Sequence, residues 1–323
     1  MPTLRSIVLL PALTAWCLLA AAQTPPAPAA SPPAAPAASA PDVFDTAREG
    51  VRSTAEWLAR SVDSWFGDRP FEQGGKVTDG QVHLRFLHRR DEGNDFGLRF
   101  NARFRLPNVE RSTYLFLGRD DQREVVADTP AAFTRQDRLL SERRADRSFF
   151  AGVGYGWREN VDFRLGLRGG LKPYAQARYR QRWTVGQRGL MEFRETLFWS
   201  LDDHLGSTTA LSYERSLSPT LALRWLNAAT ITQRVKEFDW SSDLGLVKDF
   251  GSARQGSVEA IVNGLTGTGV TVREYGLQTR WQQPLHRTWL HGELIVGRFW
   301  ARPDEAARRQ AVWALGMGLK MRF

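Results

Sequence analysis

The spacing of apolar residues along this chain changes once. Phe44, Ala47, Val51, Ala55, Leu58, Val62 and Trp65 recur at three- and four-residue steps with Asp, Glu, Arg and Ser between them. That is the period of an amphipathic helix, predicted over 42–67, with Asp42 at its cap position and Gly67 just past the stripe. From residue 81 the period becomes two. Phe96, Leu98, Phe100, Ala102, Phe104 and Leu106 alternate with Gly97, Arg99, Asn101, Arg103 and Arg105, and Val161, Phe163, Leu165 and Leu167 alternate with Asp162, Arg164, Gly166 and Arg168. A strand that alternates apolar with fully charged residues can bury only one face.

About fourteen such segments follow one another, near 81–89, 95–106, 112–119, 147–158, 160–169, 173–186, 189–201, 205–216, 219–233, 237–250, 255–265, 270–282, 287–300 and 309–323. The third is weak, which leaves twelve as the alternative. Prolines 107, 130, 173, 219, 284 and 303 all fall at predicted boundaries or in loops, where they delete no ladder hydrogen bond. The pattern predicts an all-β fold: an antiparallel transmembrane β-barrel over 81–323, preceded by a short amphipathic helix. An even strand number puts both barrel ends on one side. The helix is expected on the periplasmic rim, with a lumen plug or a membrane-surface position as alternatives.

Composition sharpens this. No run of about 18 or more apolar residues follows the first 22, so helical spans are excluded. The chain has 12 Trp, 18 Phe and 6 Tyr, a usage suited to two interfacial girdles. On 287–300, Leu290, Gly292, Leu294 and Val296 share a face with Trp300, while Trp289 lies near the other end. Ten residues at about 3.4 Å, tilted by about 40°, span roughly 26 Å, close to the ~25 Å apolar band of membrane barrels. Phe238 and Trp240 with Phe250, and Phe149 with Trp157, repeat the arrangement. Residues 1–22 read as a secretory signal peptide: Arg5, an apolar run, then Leu-Leu-Ala-Ala-Ala. Cys17, the chain's single cysteine, lies inside it, so neither disulfide nor thiol chemistry is expected. Residues 23–41 form a Pro/Ala-rich linker.

The last segment adds a specific feature. Trp313, Leu315, Met317, Leu319, Met321 and Phe323 alternate with Ala314, Gly316, Gly318, Lys320 and Arg322, and the sequence stops on Phe323. Over 81–323 the chain resembles bacterial outer-membrane β-barrel proteins of the porin-like class, and it is similar to proteobacterial barrel proteins with an N-terminal helix. The resemblance implies a cell outer membrane location, contact with outer-membrane lipids, and a terminal Phe323 that serves as barrel closure and as a signal to the barrel-assembly machinery.

With the apolar face toward lipid, the other face lines the lumen. It carries fourteen cations: Arg99, Arg103, Arg105, Arg164, Arg168, Arg178 and Arg180, with Arg85, Arg182, Arg194, Arg224, Arg280, Lys320 and Arg322. Eight acids face them: Asp162, Glu192, Glu214, Asp239, Asp243, Glu259, Glu274 and Glu293. Two readings stay open. In one, cross-strand pairs fill a closed structural or envelope-assembly barrel that works through a periplasmic partner; in the other, the first seven arginines line a passive pathway for small anionic solutes. On the strand carrying Arg99, Arg103 and Arg105, at least two are expected to lack neutralising neighbours. The long connection 119–147, rich in charge, is expected to stand in solvent, with inward folding as the alternative.

Signals for chemistry are sparse. Asp202-Asp203-His204 at an outer turn, with Asp120-Asp121 on the same side, is the one candidate for a rim hydrolase of omptin-like type, and a lipase-like Ser–His pair cannot be placed. His83 and His291 face inward on nonadjacent strands without metal-ligand spacing, so no metal and no cofactor is expected. The net charge of +9 is spread one cation per alternate residue, which leaves no basic block for nucleic acid.

Overall fold

A computed structural model describes residues 43–63, 75–105, 112–129 and 147–323. The signal peptide, the Pro/Ala linker, residues 64–67 of the expected helix and residues 130–146 of the long connection lie outside the described residues. Fourteen antiparallel strands form one closed barrel: β1 (Lys76–Arg89), β2 (Gly93–Arg105), β3 (Thr113–Asp121), β4 (Arg147–Arg158), β5 (Val161–Arg168), β6 (Lys172–Val185), β7 (Gly189–Ser200), β8 (His204–Ser218), β9 (Leu221–Thr232), β10 (Asp239–Asp249), β11 (Gln255–Leu265), β12 (Val272–His286), β13 (Leu290–Ala301) and β14 (Gln310–Arg322). Each strand pairs with its sequence neighbours, and β1 closes on β14 from Gln81↔Arg322 to Arg89↔Ala314. The weak third segment is a full member: β3 pairs with β2 and with β4, so the twelve-strand alternative falls.

Alternation sets the two faces. Leu165, Leu197, Val258, Leu277, Leu294 and Met317 are exposed on the outer wall, where only a lipid surround makes such exposure favourable. Trp199, Trp300 and Trp313 flank this band near one end, with Trp183, Phe250 and Trp281 toward the other. One proline departs from expectation. Pro284 lies inside β12, where the β12–β13 register shifts between Pro284 and His286, and a bulge is where a strand tolerates a residue without an N–H.

At the seam, the backbone N–H of Phe323 donates to the Gly80 carbonyl at 3.0 Å, and its ring stacks on Phe100 at 6.2 Å and 5°. Gly80 makes that seat possible, since a Cβ there would lie 2.5 Å from the Phe323 ring. Helix α1 (Val43–Asp63) rests at the same end, the one expected to face the periplasm in a barrel with both chain ends on one side. Ala55 is buried against Ala102 and Phe104, which strand parity puts on the outer face. Arg48 donates to the Arg322 carbonyl at 3.1 Å and stacks over Trp289, and Asp45 pairs with Arg287 at 2.8 Å in the β12–β13 turn.

Candidate functional site

The inner face of the β3–β7 wall is not purely polar. Phe116, Phe150, Tyr174 and Phe198 all point inward and are buried together. Inward glycines make room for these rings: a Cβ on Gly152 would lie 2.6 Å from the Phe116 ring. What covers them is the start of the long connection. After β3 the chain forms one helical turn, α2 (Gln122–Val125), and continues across the lumen to Thr129, burying Val126 and Ala127 on the aromatic cluster. This corrects the expectation of a solvated segment for its described part. Acidic side chains there meet inward arginines, and the apolar Val-Val-Ala between them meets the aromatics.

The docking contacts come from four strands. Arg99 on β2 pairs with Glu124 at 3.1 Å and with Asp120 at 3.4 Å. Gln176 on β6 donates to the Val126 carbonyl at 3.0 Å. Asp128 is 3% exposed and lies 2.9 Å from Arg178 on β6 and 3.2 Å from Arg194 on β7, while the Thr196 hydroxyl donates to its carboxylate at 3.2 Å. Thr129 approaches Thr230 on β9 at 3.4 Å. Asp128 adopts φ 52°, a left-handed conformation that Asp tolerates better than most residues.

These contacts sort the seven arginines singled out from sequence. Arg99, Arg103 and Arg164 line one cavity with Asp79, Gln81, His83, Asp120 and Glu124, between the inward segment and the β1–β5 wall. Arg164 donates to the Tyr114 hydroxyl at 2.9 Å and to Asp162 at 3.1 Å, and Tyr114 donates to Asp162. Arg103 sits 4.5 Å from the Tyr114 ring centre and, among the described residues, forms no ion pair. Arg178 lies under the segment, Arg168 at the outer rim against Asp202, Arg180 beside Glu192 at 3.8 Å, and Arg105 is exposed at the periplasmic end of β2. Arg99 is neutralised by acids of β3 and of the inward segment, which a strand-by-strand count omits.

The opposite wall is packed. Ile261, Ile295 and Phe299 are buried facing inward, and Glu293 lies between Arg280 at 3.4 Å and Lys320 at 2.8 Å. Arg89 pairs with Glu274 and with Asp91. Closure also changes the histidine picture: His83 and His291 sit opposite Lys320 from its two sides, one strand apart. Among the described residues no group of three or more His, Cys, Asp or Glu is arranged to hold a metal ion.

The candidate hydrolase turn is built as a tie. Asp202 accepts from Lys172 at 3.0 Å and pairs with Arg168. The Lys172 hydrogen bond, followed by the charge of Arg168, holds its carboxyl below the usual Asp range. The Asp203 N–H donates to the Ser200 hydroxyl at 3.1 Å, and His204 begins β8 at φ 57°. Asp202 thus faces the β5–β6 hairpin, an arrangement that ties two outer turns together.

No protein-family model matches the chain, and no curated protein matches it in sequence. Among solved structures, it is similar to the outer membrane channel DcaP of Acinetobacter baumannii, with 9% identity, 78% of this chain and 98% of that chain covered, and a TM-score of 0.47. It is also similar to OmpT, an outer membrane protein of Vibrio cholerae, with 10% identity over 77% of this chain and 98% of that one and a TM-score of 0.44. OccK11 of Pseudomonas aeruginosa gives 10% identity, 78% and 97% coverage, and a TM-score of 0.41. The closed fourteen-strand antiparallel barrel, with its apolar outer wall, has the architecture of a transmembrane β-barrel of the outer-membrane type.

Proposed function

We propose that the barrel is a narrow passive channel for small anionic solutes, whose path runs along the β1–β5 wall and is constricted by the inward segment 122–129. The observation that carries this reading is Arg103: a lumen guanidinium with no ion pair among the described residues, in a cavity shared with Arg99 and Arg164. A fixed positive charge facing a polar cavity raises the local concentration of anions without shape recognition. The packed β11–β14 wall favours a second reading, a closed barrel of structural or envelope-assembly role, with its periplasmic helix as the partner-facing element.

Single-channel recording in planar bilayers separates the two. In the channel reading the parent gives reproducible steps with an anion-favouring reversal potential. Arg103→Glu lowers or reverses that preference at low salt, and the effect weakens near 1 M salt, where the screening length is about 3 Å. Silence of the parent across applied voltages supports the closed barrel. Conduction by Arg103→Glu with unchanged selectivity at low salt removes Arg103 from the path.

A further inference from the structure

We infer that the outer wall of β12–β14 carries a binding site for the phosphate of an outer-leaflet glycolipid, centred on Arg298. The inference rests on the fold alone and is independent of whether the lumen conducts. On β13 the outward set is Leu294, Val296, Arg298 and Trp300, so the guanidinium of Arg298 stands on the lipid-facing wall. In register it lies opposite Leu277 on β12 and Trp313 on β14. It is three residues from the end of β13, at the end of the barrel away from Phe323 and α1, the end that also bears the long β3–β4 connection, as the extracellular ends of such barrels do. A cation on a lipid-facing wall is unfavourable in hydrocarbon and becomes tolerable where headgroups begin. Among the described residues Arg298 has no carboxylate partner that would neutralise it.

The surroundings hold this charge in place. The guanidinium carbon lies 5.4 Å from the ring centre of Trp300 and 5.4 Å from that of Trp313. Trp300 stacks on Tyr275 at 5.5 Å and 18°, and Arg309 lies 4.9 Å above Tyr275. Arg309 is itself fixed, donating to the carbonyls of Trp300 at 2.9 Å and Val272 at 2.7 Å. The result is one row across three strands: Trp313, Arg298, Trp300, Tyr275, Arg309. Two guanidiniums thus bracket an aromatic surface.

That row matches three parts of one ligand. The planar fork of Arg298 suits a phosphate. The aromatic faces suit the C–H edge of a sugar ring. Beneath them Leu277, Leu294, Val296 and Met317 are exposed and apolar, at the depth where acyl chains lie. Free phosphate would use the first part only, and a phospholipid without sugar would leave the indoles unused.

The test uses the full-length barrel in detergent micelles and bisphosphorylated lipid A, its dephosphorylated form, and inorganic phosphate, with binding read by native mass spectrometry. The parent is expected to retain lipid A, and Arg298→Gln to weaken that retention about tenfold, the order of one charge-assisted contact. The dephosphorylated lipid should bind the parent as weakly as lipid A binds the variant, and inorganic phosphate should not compete. Lys248→Gln, which removes an outward cation on β10 at the opposite end of the barrel, should leave binding unchanged. Heat-modifiability on a gel shows that each variant is folded, and Arg298→Lys, which keeps the charge without the fork, should fall between parent and Gln. Equal lipid A binding by folded Arg298→Gln overturns the proposal. So does equal binding of the dephosphorylated lipid by the parent, which would leave only the apolar wall. Full competition by inorganic phosphate would make this a free-anion site instead.

Discussion

Replacing Asp128 by Asn isolates the contact that holds the inward segment down. Asn keeps the side-chain volume, can still accept from Thr196, and tolerates the φ of 52°. What it removes is the negative charge facing Arg178 and Arg194. Taking one partner from a buried ion pair costs about 3–5 kcal/mol. The Arg194 side chain is 12% exposed and the lumen is polar, so water can partly replace the lost carboxylate and the lower end applies. About 3 kcal/mol is roughly a hundredfold change in the docked-to-undocked ratio of the segment. In bilayer recordings this should appear as a larger-conductance level that the parent visits rarely and the variant occupies about a hundred times more often, relative to the closed level. Glu124→Gln should shift the same ratio less, because Arg99 keeps Asp120. Identical conductance histograms for parent and Asp128→Asn, together with identical heat unfolding, would refute the idea that this carboxylate fixes the segment.

Two further outcomes are expected. Gly80→Ala puts a methyl 2.5 Å from the Phe323 ring and should cost about 1–3 kcal/mol by overpacking, read as an earlier loss of the folded band on heating; deleting Phe323 should lower the amount of folded barrel in cells, and unchanged levels would count against a role in closure or insertion. The tie at Asp202 should respond to acid alone. A carboxyl held low in the folded state contributes stability that is fully present above the unfolded value of about 3.9 and is lost as pH falls through the folded value. Hydrogen exchange in the 201–203 turn should therefore stay slow, after correction for its intrinsic pH dependence, from about pH 8 to pH 5 and quicken only below the ordinary Asp range, whereas Asp202→Asn should be fast throughout.

The barrel was legible because period-two alternation needs no knowledge of partners. Phe96 to Arg105 declares its two faces by itself, and the strand ends fall within a few residues of the observed ones. β1 begins earlier than expected, at Lys76, because Lys76 to Gly80 carries too little apolar character to show its period, yet it pairs with the β2 stretch ending at Arg105. The inward aromatics were signalled by adjacent rings, Phe149-Phe150 and Phe198-Trp199, which no one-sided strand needs. The inward segment had a signal too: Asp120, Glu124 and Asp128 recur at four-residue steps around Val125-Val126-Ala127. Charge density suggested solvent because two of the partners, Arg178 and Arg194, come from strands distant in the chain. Lys320 pairs with Glu293 across an ordinary hairpin, but the approach of His83 to Lys320 depends on closure and has no local trace at all.

Helix α1 precedes every strand, yet its seat is finished by the last one. Ala55 rests on β2, Arg48 on the end of β14, and Asp45 on the turn entering β13. Those three surfaces come together only once β1 has paired with β14. An open, growing sheet offers the helix part of its platform, and a misregistered seam would shift the Arg322 carbonyl away from Arg48. Docking is thus conditional on correct closure, and the helix, once down, spans the joint and opposes its reopening. The line where the barrel's two ends meet is the line that carries a clasp.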